Sequence, residues 1–208
     1  MRVASAVRIF ILIFVSGCAP MSGTYNRIDA PNAVYFGQHC HGSVGPKSVA
    51  YFPYHGIFLS IDINPWIRFG VHVPAGMTAE VLGRTMKITG RTEAGPVQFA
   101  AAMKPASIGS FGSVNPPEFM AFYASTYKDV ADNYFGPFTG ASKGDRHIWY
   151  LFTAFDESQV PRRVVQVPRG LVNGTIELPA LAVNGQKFDP EKLSFRRDSY
   201  RGFTPINC

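Results

Sequence analysis

The densest run of metal-ligating side chains is His39-Cys40-His41. On a strand the two imidazoles would share one face and the thiol would take the other, so the three cannot easily converge on one ion. Completing a copper or zinc site around His39 and His41 would need His55, His72 or His147 as further ligands. No C-x-x-C, H-x-x-x-H or H-E-x-x-H spacing supports such a site, so no metal and no cofactor are expected. For nucleophilic hydrolysis there is no G-x-S-x-G elbow, and Gly42-Ser43-Val44-Gly45 reads as a loop. Neither phosphate-cradling glycine motif is present, and the fourteen carboxylates show no paired context that marks glycosidase chemistry. The motifs therefore point away from an enzyme.

Charge and aromatic residues offer a different chemistry, that of binding. The chain is formally +6. Arg2 and Arg8 supply two of these charges, Cys18 to Val160 balances ten basic against ten acidic residues, and the other four fall after Pro161. There Arg162, Arg163, Arg169, Lys187, Lys192, Arg196, Arg197 and Arg201 face only Glu177, Asp189, Glu191 and Asp198. Guanidinium forks suit carboxylate or phosphate groups, so Arg162, Arg196 and Arg201 are candidate contacts to a protein or to an anionic glycan or lipid, if they gather at one sheet end. Solvation of an ordinary basic face is the plainer alternative. Tyr35-Phe36, Tyr51-Phe52, Tyr54, Trp66, Tyr134-Phe135 and Phe138 could line a glycan or peptide surface, or simply fill a core.

The N-terminus carries the strongest signal. Arg2 and Arg8 precede the apolar run Ile9-Phe10-Ile11-Leu12-Ile13-Phe14-Val15, and small residues follow. Seven residues as a helix reach about 10 Å, against about 30 Å for a bilayer core, so the run is no permanent span. Val15-Ser16-Gly17-Cys18 resembles the lipobox of bacterial lipoproteins: an aliphatic residue, a small one, Gly or Ala, then Cys. The resemblance covers only this export segment. It implies a signal peptide over 1–17, cleavage before Cys18, a palmitate-type acyl anchor on the Cys18 thiol and acylation of the new amino group. Ala19, rather than Asp, after the cysteine implies sorting to the outer membrane of a Gram-negative cell.

With Cys18 lipidated in an oxidising compartment, Cys40 and Cys208 remain as an even pair, and a disulfide between them is expected. Residues 18–33 contain two prolines and no period, and read as the lipidated cysteine followed by a flexible tether. A single β-rich domain is expected over 34–208.

The elements that must position these groups are mainly strands. Glycine (20) and proline (16) punctuate the chain every few residues. In Ile57 to Ile63 the odd positions are all aliphatic, with Ser60 and Asp62 between them, the pattern of a strand with one buried face. Val34 to Phe36, Ser48 to Tyr54, Trp66 to Val73, Glu80 to Thr89, Pro96 to Met103 and Arg146 to Phe155 also read as strands. Asn115-Pro116-Pro117-Glu118 resembles a helix start and predicts a short helix over about 117–132. Asn173-Gly174 and Asn184-Gly185 both carry the type I′ hairpin dipeptide. The predicted fold is a mainly antiparallel β-sandwich or meander with one short helix.

These readings predict a membrane-anchored envelope lipoprotein that acts by binding, as a structural or accessory component on the periplasmic face of the outer membrane. Its partners would be the bilayer, through acylated Cys18, and an envelope protein, a toxin or an anionic glycan or lipid. Export denies it nucleic acid. Two alternatives belong to other classes: an immunity-type lipoprotein that neutralises a periplasm-acting toxin, and an envelope hydrolase without a recognisable motif.

Overall fold

The computed structural model describes residues 18–40, 43–63, 67–111, 136–139, 147–156, 163–164, 167–168 and 170–205. Its elements are β1 (Cys18–Asp29), β2 (Val34–Cys40), β3 (Ser43–Tyr54), β4 (Ile57–Ile63), β5 (Ile67–Val73), β6 (Thr78–Val81), β7 (Thr85–Thr92) and β8 (Gly95–Phe111). They continue with β9 (Phe138–Thr139), β10 (His147–Asp156), β11 (Arg163–Val164), β12 (Asn173–Glu177), β13 (Leu181–Val183), β14 (Gln186–Phe188) and β15 (Lys192–Pro205). The predicted helix at 117–132 lies outside the described residues.

All pairings are antiparallel. An eleven-stranded sheet runs β1-β15-β12-β7-β8-β10-β5-β4-β3-β2, with β11 on the side of β10, and a four-stranded sheet runs β14-β13-β6-β9. Ala79, Val81, Phe138, Leu181 and Val183 of the small sheet share one buried cluster with Ile57, Leu59, Phe69, Val71, Ile88 and Phe195 of the large one. Two antiparallel sheets closed over a common apolar layer make the predicted sandwich.

Local pattern explains most of the strands. In β4 the odd aliphatics Ile57, Leu59, Ile61 and Ile63 are all buried, as alternation requires. In β7, Met86 and Ile88 are buried while Thr85, Lys87 and Thr89 face solvent. The Asn184-Gly185 hairpin also forms as predicted: φ is +49° and +79°, and the turn joins β13 to β14. Asn184 further ties this turn to β6, since the Thr78 N–H donates to its Oδ1 at 2.8 Å and its own N–H donates to the Thr78 carbonyl at 2.9 Å.

Three segments differ from their sequence reading. Cys18–Asp29 is not a tether but β1, paired along all twelve residues with β15. Ile28 is fully buried in the core, which holds the strand against the domain despite its one proline and one glycine. Glu80 to Thr89 is not one strand: β6 joins the small sheet, 82–84 cross between layers, and β7 joins the large one. The Leu82 N–H donates to the Ala180 carbonyl at 2.8 Å at this crossing.

Asn173-Gly174, the third, opens strand β12 instead of turning. Gly174 lies in register between Gly90 of β7 and Phe195 of β15. A Cβ at Gly174 would strike the Thr89 carbonyl oxygen and come 2.6 Å from Gly90 Cα and 2.7 Å from Phe195 Cζ. This glycine is thus required by close packing beneath a buried ring, a demand that overrides the dipeptide's turn preference.

Candidate functional site: an aromatic and acidic cleft

Three connections meet at one end of the sandwich: Pro31-Asn32 between β1 and β2, His55-Gly56 between β3 and β4, and Asp189 to Glu191 between β14 and β15. They enclose an open cleft of about 470 Å³, with Phe52, Pro53, Tyr54 and Phe188 in its wall. Its shape follows from turn chemistry. His55 and Gly56 have φ of +47° and +88°, so the two-residue hairpin has the positive φ pair of a tight turn. Histidine is among the few residues that enter this region readily.

The turn lays the exposed His55 ring on Phe188, with centroids 3.6 Å apart and planes 14° apart. Tyr54 stands edge-on to His55 at 4.6 Å and to Phe188 at 6.0 Å. Asp189 and Glu191 supply two carboxylates, and neither makes an ion pair among the described residues. Burial pushes the Tyr54 phenol pKa up, and Glu191 and then Asp189 push it further. The cleft therefore combines flat apolar faces with negative potential.

The predicted arginines lie elsewhere and are not gathered. Arg162 lies outside the described residues. Arg196 and Arg201 both stand on β15, but five positions apart, so the pleat turns them to opposite faces. Arg196 belongs to a solvent-facing polar array with Arg91 and Asn173 on the neighbouring strands and Arg27 opposite it on β1. Arg201 is exposed and lies opposite Ser22. Around Arg196 the charges are paired: Arg27 Nη1 is 3.9 Å from Asp198 and Arg196 Nε is 4.0 Å from Asp29. In the same array Lys87 and Lys192 both reach Glu177, at 2.9 and 3.5 Å.

Cys18 opens β1, paired with Pro205, and Cys40 closes β2, paired with Ser43. Cys208 lies outside the described residues. Among the described residues no three His, Cys, Asp or Glu side chains are grouped so as to hold a metal ion. His72 Nε2 lies 2.9 Å from Ser60 Oγ, the spacing of a nucleophile and its base. Both are buried, at 0% and 5% exposure, so neither meets solvent or substrate. The pair sits on the second face of β4 and β5, where Tyr51 stands edge-on to His72 at 5.0 Å. Gly70 leaves the room it occupies, because a Cβ there would strike Ser60 Oγ.

Sequence reading named Phe52 and Tyr54 among the aromatic candidates and His55 as a possible metal ligand, but singled out none of Pro31, Pro53, Phe188, Asp189 and Glu191 for a site. A local signal was available: Phe188-Asp189-Pro190-Glu191 sets an aromatic beside two acids just after the most legible hairpin of the chain. What it could not reveal is that the β3–β4 turn would arrive beside it, more than a hundred residues away in sequence. No protein-family model, curated protein or solved structure matches the chain.

Proposed function

We propose that the chain is a membrane-anchored envelope lipoprotein that acts by binding, with the aromatic and acidic cleft as its binding site and acylated Cys18 as its anchor. One observation carries the reading: Cys18 begins β1, and Pro31, two residues beyond the end of β1, lines the cleft. A strand of twelve residues extends roughly 35 Å at about 3.3 Å per residue. A lipid on Cys18 would therefore lie at the opposite end of β1 from the cleft, and a ligand would be met away from the anchoring bilayer. Several acyl chains would hold the protein firmly, since each buried methylene contributes about 0.8 kcal/mol. Among the described residues no helix is long and apolar enough to cross a membrane.

The same reading places the domain on the periplasmic face of the outer membrane and joins Cys40 to Cys208. The test is Cys18→Ser in the full chain, followed by fractionation and mass spectrometry of the N-terminal peptide. The expected product is an unacylated, poorly processed precursor. A mature, acylated membrane protein from that variant overturns the anchor. A non-reduced digest of the exported protein should join the Cys40 and Cys208 peptides, and two free thiols would remove the disulfide.

A further inference from the structure

We infer that the cleft takes an arginine side chain of a partner protein, stacked against the exposed His55 ring that rests on Phe188 and forked by Asp189 and Glu191. The inference rests on the binding reading of the cleft and names its ligand. The charge of the lining comes first. Pro31, Phe52, Pro53, Tyr54, His55 and Phe188 accompany two carboxylates, and no Lys or Arg lines the cleft among the described residues. The nearest cations in sequence are turned elsewhere. Lys192 reaches Glu177 at 3.5 Å, and Lys187 alternates with Phe188 on β14, so it leaves the strand on the other face.

Hydrogen-bond capacity narrows the ligand further. Ionised carboxylates only accept, and a guanidinium only donates, through five N–H groups in a planar fork. Neutral sugar hydroxyls would need donors as well, and the cleft offers few. A plane is also what the stacked rings select, since guanidinium groups pack flat on aromatic faces while their edges remain free to bond. Burial is the first cause that raises the Tyr54 phenol pKa, and Glu191 and Asp189, both close enough to act on it, add to the rise. Arginine anchors in aromatic pockets are among the residues that carry most binding energy at protein interfaces.

The probe is the capped tripeptide tri-arginine, titrated by calorimetry against the full-length lipoprotein in detergent, with tri-glutamate and a neutral cello-oligosaccharide as comparisons. Tri-arginine should bind, weaken as salt is raised, and exceed tri-lysine. Asp189→Asn with Glu191→Gln should lower its affinity about ten-fold or more, because the charge-assisted bonds are lost. These changes are nearly isosteric, so the unfolding midpoint should hold. Phe188→Leu should also weaken binding while keeping an apolar residue in place. Undiminished binding by the carboxamide variant, or no tri-arginine binding, overturns the inference. Oligosaccharide binding lost in Phe188→Leu, without tri-arginine binding, overturns the cationic ligand but retains a binding cleft. None of these outcomes bears on Cys18, whose own test is acylation.

Discussion

The cleft and the outer face of β7, β12 and β15 are both polar and both solvent-accessible, yet they are built in opposite ways. On the outer face, strands alternate strictly, and the charges that emerge meet partners across the sheet: Lys87 and Lys192 with Glu177, Arg196 with Asp29. Exposed pairs of this kind add little to stability, because water screens them and long side chains must be ordered to form them. In the cleft, two carboxylates stand beside stacked rings and make no ion pair among the described residues. Among the described residues Arg27, Lys87, Arg91, Lys192 and Arg196 on this face outnumber Asp29, Glu177 and Asp198, so ion pairing offsets its charge only in part, while two acids of a basic segment line a cavity. Net charge along a segment is a poor guide to where potential is left unneutralised.

The sharpest way to break the comparison acts on the outer face, through what lies beneath it. Gly174→Val should destabilise the domain by about 3 kcal/mol or more, because the new side chain must displace Thr89, Gly90 and the buried Phe195 ring together. Chemical denaturation would measure it. A change below about 1 kcal/mol would mean the ring can move aside, and that β12 is not held as described.

A smaller effect is expected from Gly185→Val, in the turn that leads into β14. A Cβ at Gly185 meets no atom within 4 Å, so the cost is conformational alone, arising from the positive φ of +79°. About 1–2 kcal/mol is expected, read in the same denaturation experiment. The pair of glycine substitutions separates steric demand from backbone demand.

Titration sharpens the electrostatic half of the comparison. Asp189→Asn with Glu191→Gln should move the Tyr54 phenol pKa down toward, but not to, its ordinary value, since burial remains the largest cause of its elevation. Near-ultraviolet tyrosinate absorbance follows this, with Tyr54→Phe to assign the signal. No movement would mean the carboxylates do not face the cleft.

The smallest effect belongs to the outer face. Hydrogen bonding to Lys87 comes first among the causes that hold the Glu177 pKa below the ordinary carboxylate value. A lowered native pKa means the carboxylate stabilises the fold above its unfolded pKa, and this contribution is lost as pH falls through the native one. Glu177→Gln should therefore lower the unfolding midpoint slightly at neutral pH and not at all in acid. A difference that persists in acid would have to come from packing instead.

How much of this was legible depends on range. The alternation of Ile57, Leu59, Ile61 and Ile63 and the Asn184-Gly185 turn are decided by neighbours two residues apart or fewer, and sequence reading found both. Asn173-Gly174 carries the same local signal but obeys a longer-range one, the Phe195 ring that its glycine must accommodate. Cys18–Asp29 offers no period at all, and becomes a strand because β15, at the other end of the chain, supplies its hydrogen-bond partners. The cleft follows the same logic, since Tyr54-His55 and Phe188-Asp189 carry little meaning until they are placed together.

By itself, then, the sequence determined a mainly β domain, its strongest hairpin and its apolar strand faces, because periodicity and turn chemistry act between near neighbours. It also carries the lipobox-like Val15-Ser16-Gly17-Cys18 on which the proposed anchor at Cys18 rests. Only the tertiary structure decided that β1 joins the sheet and that two carboxylates meet a stacked histidine and phenylalanine. Those outcomes turn on pairing between residues far apart in the chain, which no local pattern encodes.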